Sequence, residues 1–210
     1  MRFFRRGSSD EREDHDERAE APGWDAIDQA LAALYRGSEP IHRAPIPGPA
    51  FGGGVQGISA YRADDHWHLI TYGLSELYAK ETDDPEVSGL GYELTFRPRL
   101  GEDAQPPSWA FNLLEQVART AREGTDFWIG HRLDVGGPIT GDASCRLVAL
   151  AFVLDPQLGV VDTPNGALAF LQLVGVSADE LAEMQQSSTA DVLERLQKDT
   201  PLLVTDVERV

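Results

Sequence analysis

A chain of 210 residues with 41% hydrophobic and 25% charged side chains has apolar mass enough for one buried core, which excludes a wholly disordered protein. Eighteen Lys and Arg against 35 Asp and Glu leave a formal net charge of −17, which excludes the broad basic face needed for nucleic acid. The single cysteine, Cys145, cannot close an intramolecular disulfide, and no stretch reaches the ~18 apolar residues of a membrane helix. A soluble, cytoplasmic protein is the expectation.

Residues 1–21 alternate charges without apolar periodicity and are expected to form a disordered leader, with the domain itself running from 22 to 210. Trp24, Ile27, Leu31 and Leu34 then fall on one helical stripe, with Pro22 before it and Gly37 after it. The next stretch holds Pro40, Pro45, Pro47, Pro49 and Gly52 to Gly54, so the sequence predicts an irregular crossing there. Ile58 to Arg62 and Trp67 to Tyr72 are rich in branched and aromatic residues and flank the turn-prone Asp64 and Asp65, the pattern of a β-hairpin. Tyr92 to Arg97 alternates with period two, which predicts a strand with Tyr92, Leu94 and Phe96 inside and one wet face.

Ser108 is read as the cap of a helix that buries Trp109, Leu113, Leu114, Val117, Ala118 and Ala121, pairs Glu115 with Arg119 and stops at Gly124. Leu147 to Leu154 and Ala167 to Val176 are almost wholly apolar and predict central strands covered on both faces. Ser177 to Glu180 fits a capping box at the start of a further helix with Leu181 and Met184 inward. A short helix around Asp191 to Leu196 and a closing strand from Leu202 to Val207 complete the series. The fold class expected is α+β: a mixed, mainly antiparallel sheet flanked by helices in a single domain.

Several motifs touch on chemistry. Gly52, Gly54 and Gly57 match G-x-G-x-x-G, but prolines precede them, a strand follows, and position 77 is Leu77 rather than an acid, so they read as a flexible turn and no cofactor is expected. His66 and His68 stand two apart on a strand, which puts both rings on one face as weak candidates for a metal. Asp64, Asp65 and His131 supply further ligands by type only. The commoner reading of the two histidines is packing or hydrogen bonding on a sheet. Cys145 before Arg146 adjoins an apolar strand and reads as a small buried hydrophobe. Leu74, Leu77 and Tyr78, interleaved with Ser75 and Glu76, lead into the acidic loop at Asp83 and Asp84. This is either a core-facing turn with a solvated tip or a peptide-binding rim, in which a tyrosine beside carboxylates anchors a basic side chain.

The segments Trp24 to Asp28, Gly57 to Tyr61, Trp67 to Tyr78, Gly91 to Arg97, Pro106 to Trp109, Thr163 to Gly166 and Phe170 to Val176 together resemble the suppressor of fused domain family. The resemblance implies an α+β domain that binds protein without catalysis. In animals that family grips an extended peptide of a zinc-finger transcription factor between two domains. By this resemblance Tyr78 matches a gripping tyrosine, and Asp83, Asp84 or Glu86 matches the acid beside it, with Glu76 as a neighbouring acid. At 210 residues the chain matches only the amino-terminal half of the animal architecture. Single-domain bacterial members are commonly proposed as immunity proteins against polymorphic toxins. The partner implied is therefore a polypeptide, basic by complementarity with the acidic body, and neither nucleic acid nor membrane. Two other readings stay open on the residues: a peptide-binding scaffold, and a metal-dependent hydrolase centred on His66 and His68.

Overall fold

The computed structural model describes residues 20–45, 53–101 and 105–209, so the expected leader lies outside the described residues. In chain order the elements are α1 (Pro22–Leu34), β1 (Ile41–Arg43), β2 (Gly57–Arg62), β3 (Trp67–Tyr72), β4 (Val87–Phe96), α2 (Ser108–Arg122), β5 (Arg132–Asp134), β6 (Leu147–Leu154), β7 (Val160–Thr163), β8 (Gly166–Ser177), α3 (Ala178–Gln186) and α4 (Thr189–Asp199). The strands form one sheet in the order β1-β2-β3-β4-β8-β6-β5, and β7 pairs with the first half of β8. Among the described residues β4 and β8 are the one parallel pair of strands, and the other strand pairs are antiparallel. This is the α+β architecture expected.

The sheet has apolar cover on both faces. On one face α2 lays Phe111, Leu114, Val117 and Ala118 over Leu69, Leu94, Phe96, Phe152 and Leu171. On the other, α1 packs Ile27 and Leu31 against Ile70, Tyr72 and Phe170, and further along α3 and α4 bring Met184, Val192 and Leu193 onto Ala149, Ala151, Val174 and Val176. The capping box forms as read, with the Ser177 hydroxyl accepting from the Glu180 N–H and the Glu180 carboxylate accepting from the Ser177 N–H. The Glu115–Arg119 pair closes at 3.1 Å.

Five local expectations are corrected. The proline-rich crossing contains the strand β1, paired with β2 from Ile41 opposite Ala60 to Arg43 opposite Ile58. The polar face of β4 is dry rather than wet, because Glu93, Thr95 and Arg97 find buried partners under α1 and the carboxyl-terminal segment. Ser108 does not cap α2: Pro107 holds that position, and the Ser108 hydroxyl accepts from Arg43 instead. No strand runs from Leu202 to Val207; Thr205 makes a single bridge to Pro98. Of the glycine motif, Gly52 lies outside the described residues, and Gly54 and Gly57 serve close packing, since a Cβ on Gly54 would sit 2.6 Å from the Arg119 nitrogen of α2 and one on Gly57 would sit 2.5 Å from the His42 ring.

Candidate partner-binding site

Where β3 ends, it separates from β4, and the gap is filled by side chains instead of ladder bonds. The Thr71 hydroxyl accepts from the Leu94 N–H at 2.8 Å and donates to the buried Glu93 carboxylate at 2.6 Å. The other Glu93 oxygen accepts from the Gly73 N–H at 2.7 Å, the Ser75 N–H at 3.0 Å and the Ser75 hydroxyl at 2.7 Å. Burial pushes the Glu93 carboxyl up, and these four donors pull against it. Glu93 thus nails down the segment that leads to Tyr78.

The following turn is braced from three more directions. The N–H groups of Gly23 and Trp24 at the start of α1 donate to the Leu77 carbonyl, at 3.0 and 3.3 Å. This approach requires glycine, because a Cβ on Gly23 would overlap the Glu76 carbonyl. The Asn165 amide donates to the carbonyls of Glu76 and Tyr78, at 2.8 and 2.9 Å. The Ser88 hydroxyl accepts from the Glu76 N–H at 3.0 Å.

Glu76 itself is buried and turned inward. Its oxygens accept from Lys80 at 2.9 Å and from the N–H groups of Glu81 and Thr82, at 2.7 and 2.6 Å. Burial alone would raise its pKa, but Lys80 and these amides outweigh it and hold the carboxyl at about 2. Its carboxylate therefore shapes the acidic loop from within. Asp83, Asp84 and Glu86 stand exposed beside Glu81, with Asp84 accepting from the Glu86 N–H.

These braces leave a cleft of about 250 Å³ lined by Gln56, Leu74, Leu77, Tyr78, Leu90 and Arg122. Leu74 and Leu77 are core residues, as a core-facing turn requires, whereas Tyr78 and Leu90 are each 43% exposed at its edge. Arg122 faces inward, donating to the carbonyls of Gly54 and Gly73. Asn165→Ala would strip two carbonyls of their donor and is expected to lower stability by about 2 kcal/mol, read as a fall in thermal midpoint with the secondary structure unchanged.

The two histidines are held by separate partners. His68 accepts the Tyr35 hydroxyl on Nδ1 at 2.8 Å and donates from Nε2 to Asp155 at 3.1 Å, while His66 Nδ1 meets Asp65 at 2.7 Å. Among the described residues no three His, Cys, Asp or Glu side chains are grouped to hold a metal. His131 precedes β5, with three strands between β5 and β3. Cys145 is buried, its thiol 3.8 Å from the Leu147 carbonyl.

His68 belongs to a polar cluster that sequence reasoning missed. The Arg97 guanidinium donates to both Asp155 oxygens at 2.6 and 3.0 Å, to Gln157 at 3.0 Å and to Gln172. Thr95 also donates to Asp155, and Gln172 donates to the carbonyls of Leu202 and Leu203. The order Tyr35, His68, Asp155 has the sequence of a nucleophile, a base and its orienter. Near neutrality the ring is neutral and the hydroxyl keeps its proton, and transfer of that proton from Tyr35 to His68 is uphill. Burial, aided by the Arg97 charge, holds His68 at about 4, and burial raises Tyr35 to about 12. The cluster is a buried clasp between β3, β4, β8 and the segments that follow α1 and β6.

A mixed eight-stranded sheet with helices on both faces, and a braced turn raising a tyrosine beside exposed carboxylates, define an α+β domain with a built surface rim. The chain belongs to the suppressor of fused family: the family model for suppressor of fused protein matches residues 54–210. The human and mouse suppressor of fused homologs are each 37% identical over 159 residues, which is 69% of this chain and 32% of theirs, so it spans about a third of their length. Among solved structures, a chain of the Sufu–Fu complex matches with a TM-score of 0.84 at 30% identity, over 91% of this chain and 92% of that one. Drosophila suppressor of fused matches with a TM-score of 0.84 at 28% identity, over 90% of this chain and 51% of that one. A suppressor of fused homolog from Neisseria gonorrhoeae shares the fold, with a TM-score of 0.64 at 14% identity over 90% of this chain and 95% of that one.

Proposed function

We propose that this domain binds and occludes a basic polypeptide at the rim formed by Tyr78, Leu90 and the exposed carboxylates of Asp83 and Asp84, and performs no covalent chemistry. The observation that carries this reading is the bracing of the rim. An irregular segment fixed by Glu93, Asn165, Ser88 and the start of α1 still presents a large aromatic side chain at 43% exposure. A surface ordered before binding avoids much of the entropy cost of association, and an exposed tyrosine is a frequent energetic anchor. The family's Sufu–Fu complex is itself a protein–protein assembly, which supports a polypeptide as the partner here.

In the finer form of the proposal the protein is a cytoplasmic, bacterial immunity protein and the partner is a basic toxin domain. The net charge of −17 supports it, because opposite charges speed the encounter with an enzyme that must be stopped quickly. The test is affinity capture from host lysate at low salt with the wild-type protein and with the triple variant Tyr78→Ala, Asp83→Ala, Asp84→Ala. One basic polypeptide held in near-equal amount by the wild type and bound about a hundredfold more weakly by the variant is the expected result, with the thermal midpoint nearly unchanged. Equal retention by both proteins excludes the rim. An association rate that stays flat from low to high salt excludes electrostatic steering.

A further inference from the structure

We infer that β5 is a self-pairing edge through which two copies of this chain associate about a two-fold axis at Leu133. The strand is last in the sheet, and its outer side has no strand beside it among the described residues. The His131 carbonyl and the Val135 N–H both bond to β6, so by alternation Leu133 also bonds inward. The N–H and C=O groups of Arg132 and Asp134 therefore point away from the sheet. An unpaired edge of this kind is a template for another strand.

Its side chains select a copy of itself. In an antiparallel pair centred on Leu133, Arg132 of one protomer stands opposite Asp134 of its partner, and the same pair recurs on the other side of the axis. Both side chains are exposed, and both lie on the face away from Leu133, which packs toward the core. Four backbone hydrogen bonds and two opposite-charge pairs thus arise from three residues. A parallel approach in register would set like charges side by side.

The ends of the strand add a knob and a hole. Before β5, Trp128 and Ile129 are two of the large hydrophobic side chains left exposed, at 46% and 43%. After β5, a cleft of about 260 Å³ opens between α2 and the next loop, lined by Trp109, Leu113, Val135, Pro138, Ile139 and Gly141. The two-fold brings the start of one β5 alongside the end of the other, so each protomer's apolar tip meets the partner's cleft. Three strands, β4, β8 and β6, separate this edge from β3 and the Tyr78 turn, so the inference stands apart from the proposed partner rim.

The net charge of −17 opposes association, so the test uses about 0.15 M salt, where the Debye length is ~8 Å, and protein from about 10 to 300 µM. Sedimentation equilibrium of the full chain is expected to show reversible dimers. Asp134→Arg should weaken the dimer about tenfold or more, because both cross-strand pairs become repulsive. Exchanging the charges, with Arg132→Asp and Asp134→Arg together, should restore it, and Trp128→Ser should weaken it without altering the circular dichroism spectrum. A monomer across the whole range overturns the inference, as does a dimer indifferent to Asp134→Arg and Trp128→Ser, or one that the charge exchange fails to restore.

Discussion

Asp155→Ala is expected to lower the unfolding free energy by about 3–5 kcal/mol, among the largest effects of any single substitution in this domain. The carboxylate is 1% exposed and receives Arg97, Thr95, His68 and the N–H groups of Gln157 and Leu158. Its removal leaves the fully buried Arg97 guanidinium without its counter-charge, far from water that might solvate it. Arg97→Met should cost a similar amount for the converse reason. The double variant Arg97→Met, Asp155→Ala should lose much less than the sum, since two apolar groups leave no orphaned charge. Urea unfolding of the four proteins, with unchanged denaturant slopes, measures the coupling. Single losses below about 1 kcal/mol would show that the clasp is dispensable.

The same clasp sets a pH dependence. Burial and the Arg97 charge hold the folded-state pKa of His68 at about 4, below its ordinary 6.5. Above pH 6.5 the ring is neutral in both states and its contribution to folding is complete. As the pH falls from 6.5 toward 4, the unfolded chain takes up a proton that the folded protein refuses, and up to about 3 kcal/mol of stability is lost. Burial would raise the Asp155 pKa, but His68 and Arg97 outweigh it and hold the carboxyl well below the usual carboxylate range, so its own contribution is lost only at still lower pH. The fall between pH 6.5 and 4 should shrink in Tyr35→Phe, His68→Gln, which removes the titrating ring and its hydroxyl partner together, leaving the part due to His66 and His42, whose pKa values burial also lowers.

Glu93→Ala is the second large effect, about 3 kcal/mol, because it orphans the donors of Thr71, Gly73 and Ser75 at one stroke. Its signature differs from that of the clasp. The segment released leads directly to Tyr78, so partner affinity at the rim should fall more than tenfold even at temperatures where the variant is fully folded. Glu93→Gln keeps the shape and one acceptor and should cost less on both scales. Calorimetric titration of the captured partner against both variants reads the affinity, and thermal melts of the same samples read the stability. If Glu93→Ala binds like the wild type once folded, the turn is not positioned by that carboxylate.

Most elements were legible because their cause is local. The stripe Trp24, Ile27, Leu31, Leu34 can bury one side only as a helix, and Ser177 with Glu180 caps the next helix within four residues. The hairpin of β2 and β3 was legible from branched residues around Asp64 and Asp65. What escaped was the meaning of polar residues on strands. Glu93, Thr95 and Arg97 alternate with apolar neighbours just as a solvent-facing row would, and no period distinguishes a charge facing water from one facing Asp155. The solitary Gln172 in an apolar run was the one signal that a buried polar partner existed nearby.

The candidate site divides the same way. Tyr78 and the acids at positions 83 and 84 stand out in the sequence because an aromatic next to carboxylates is an unusual local composition, and the structure leaves all three exposed. Glu76 looks identical to them in sequence, yet it faces Lys80 and two amides of its own loop. Asn165, 87 positions from Tyr78, braces the turn through a contact no local pattern encodes. The sequence by itself determined the helices, most strands, the acidic surface and the family motifs, since these follow from propensity, periodicity and composition within short windows. Only the tertiary structure decided which polar groups are buried, which acids are free and how the rim is held, because desolvation and hydrogen-bond geometry depend on residues distant in the chain that the fold alone brings together.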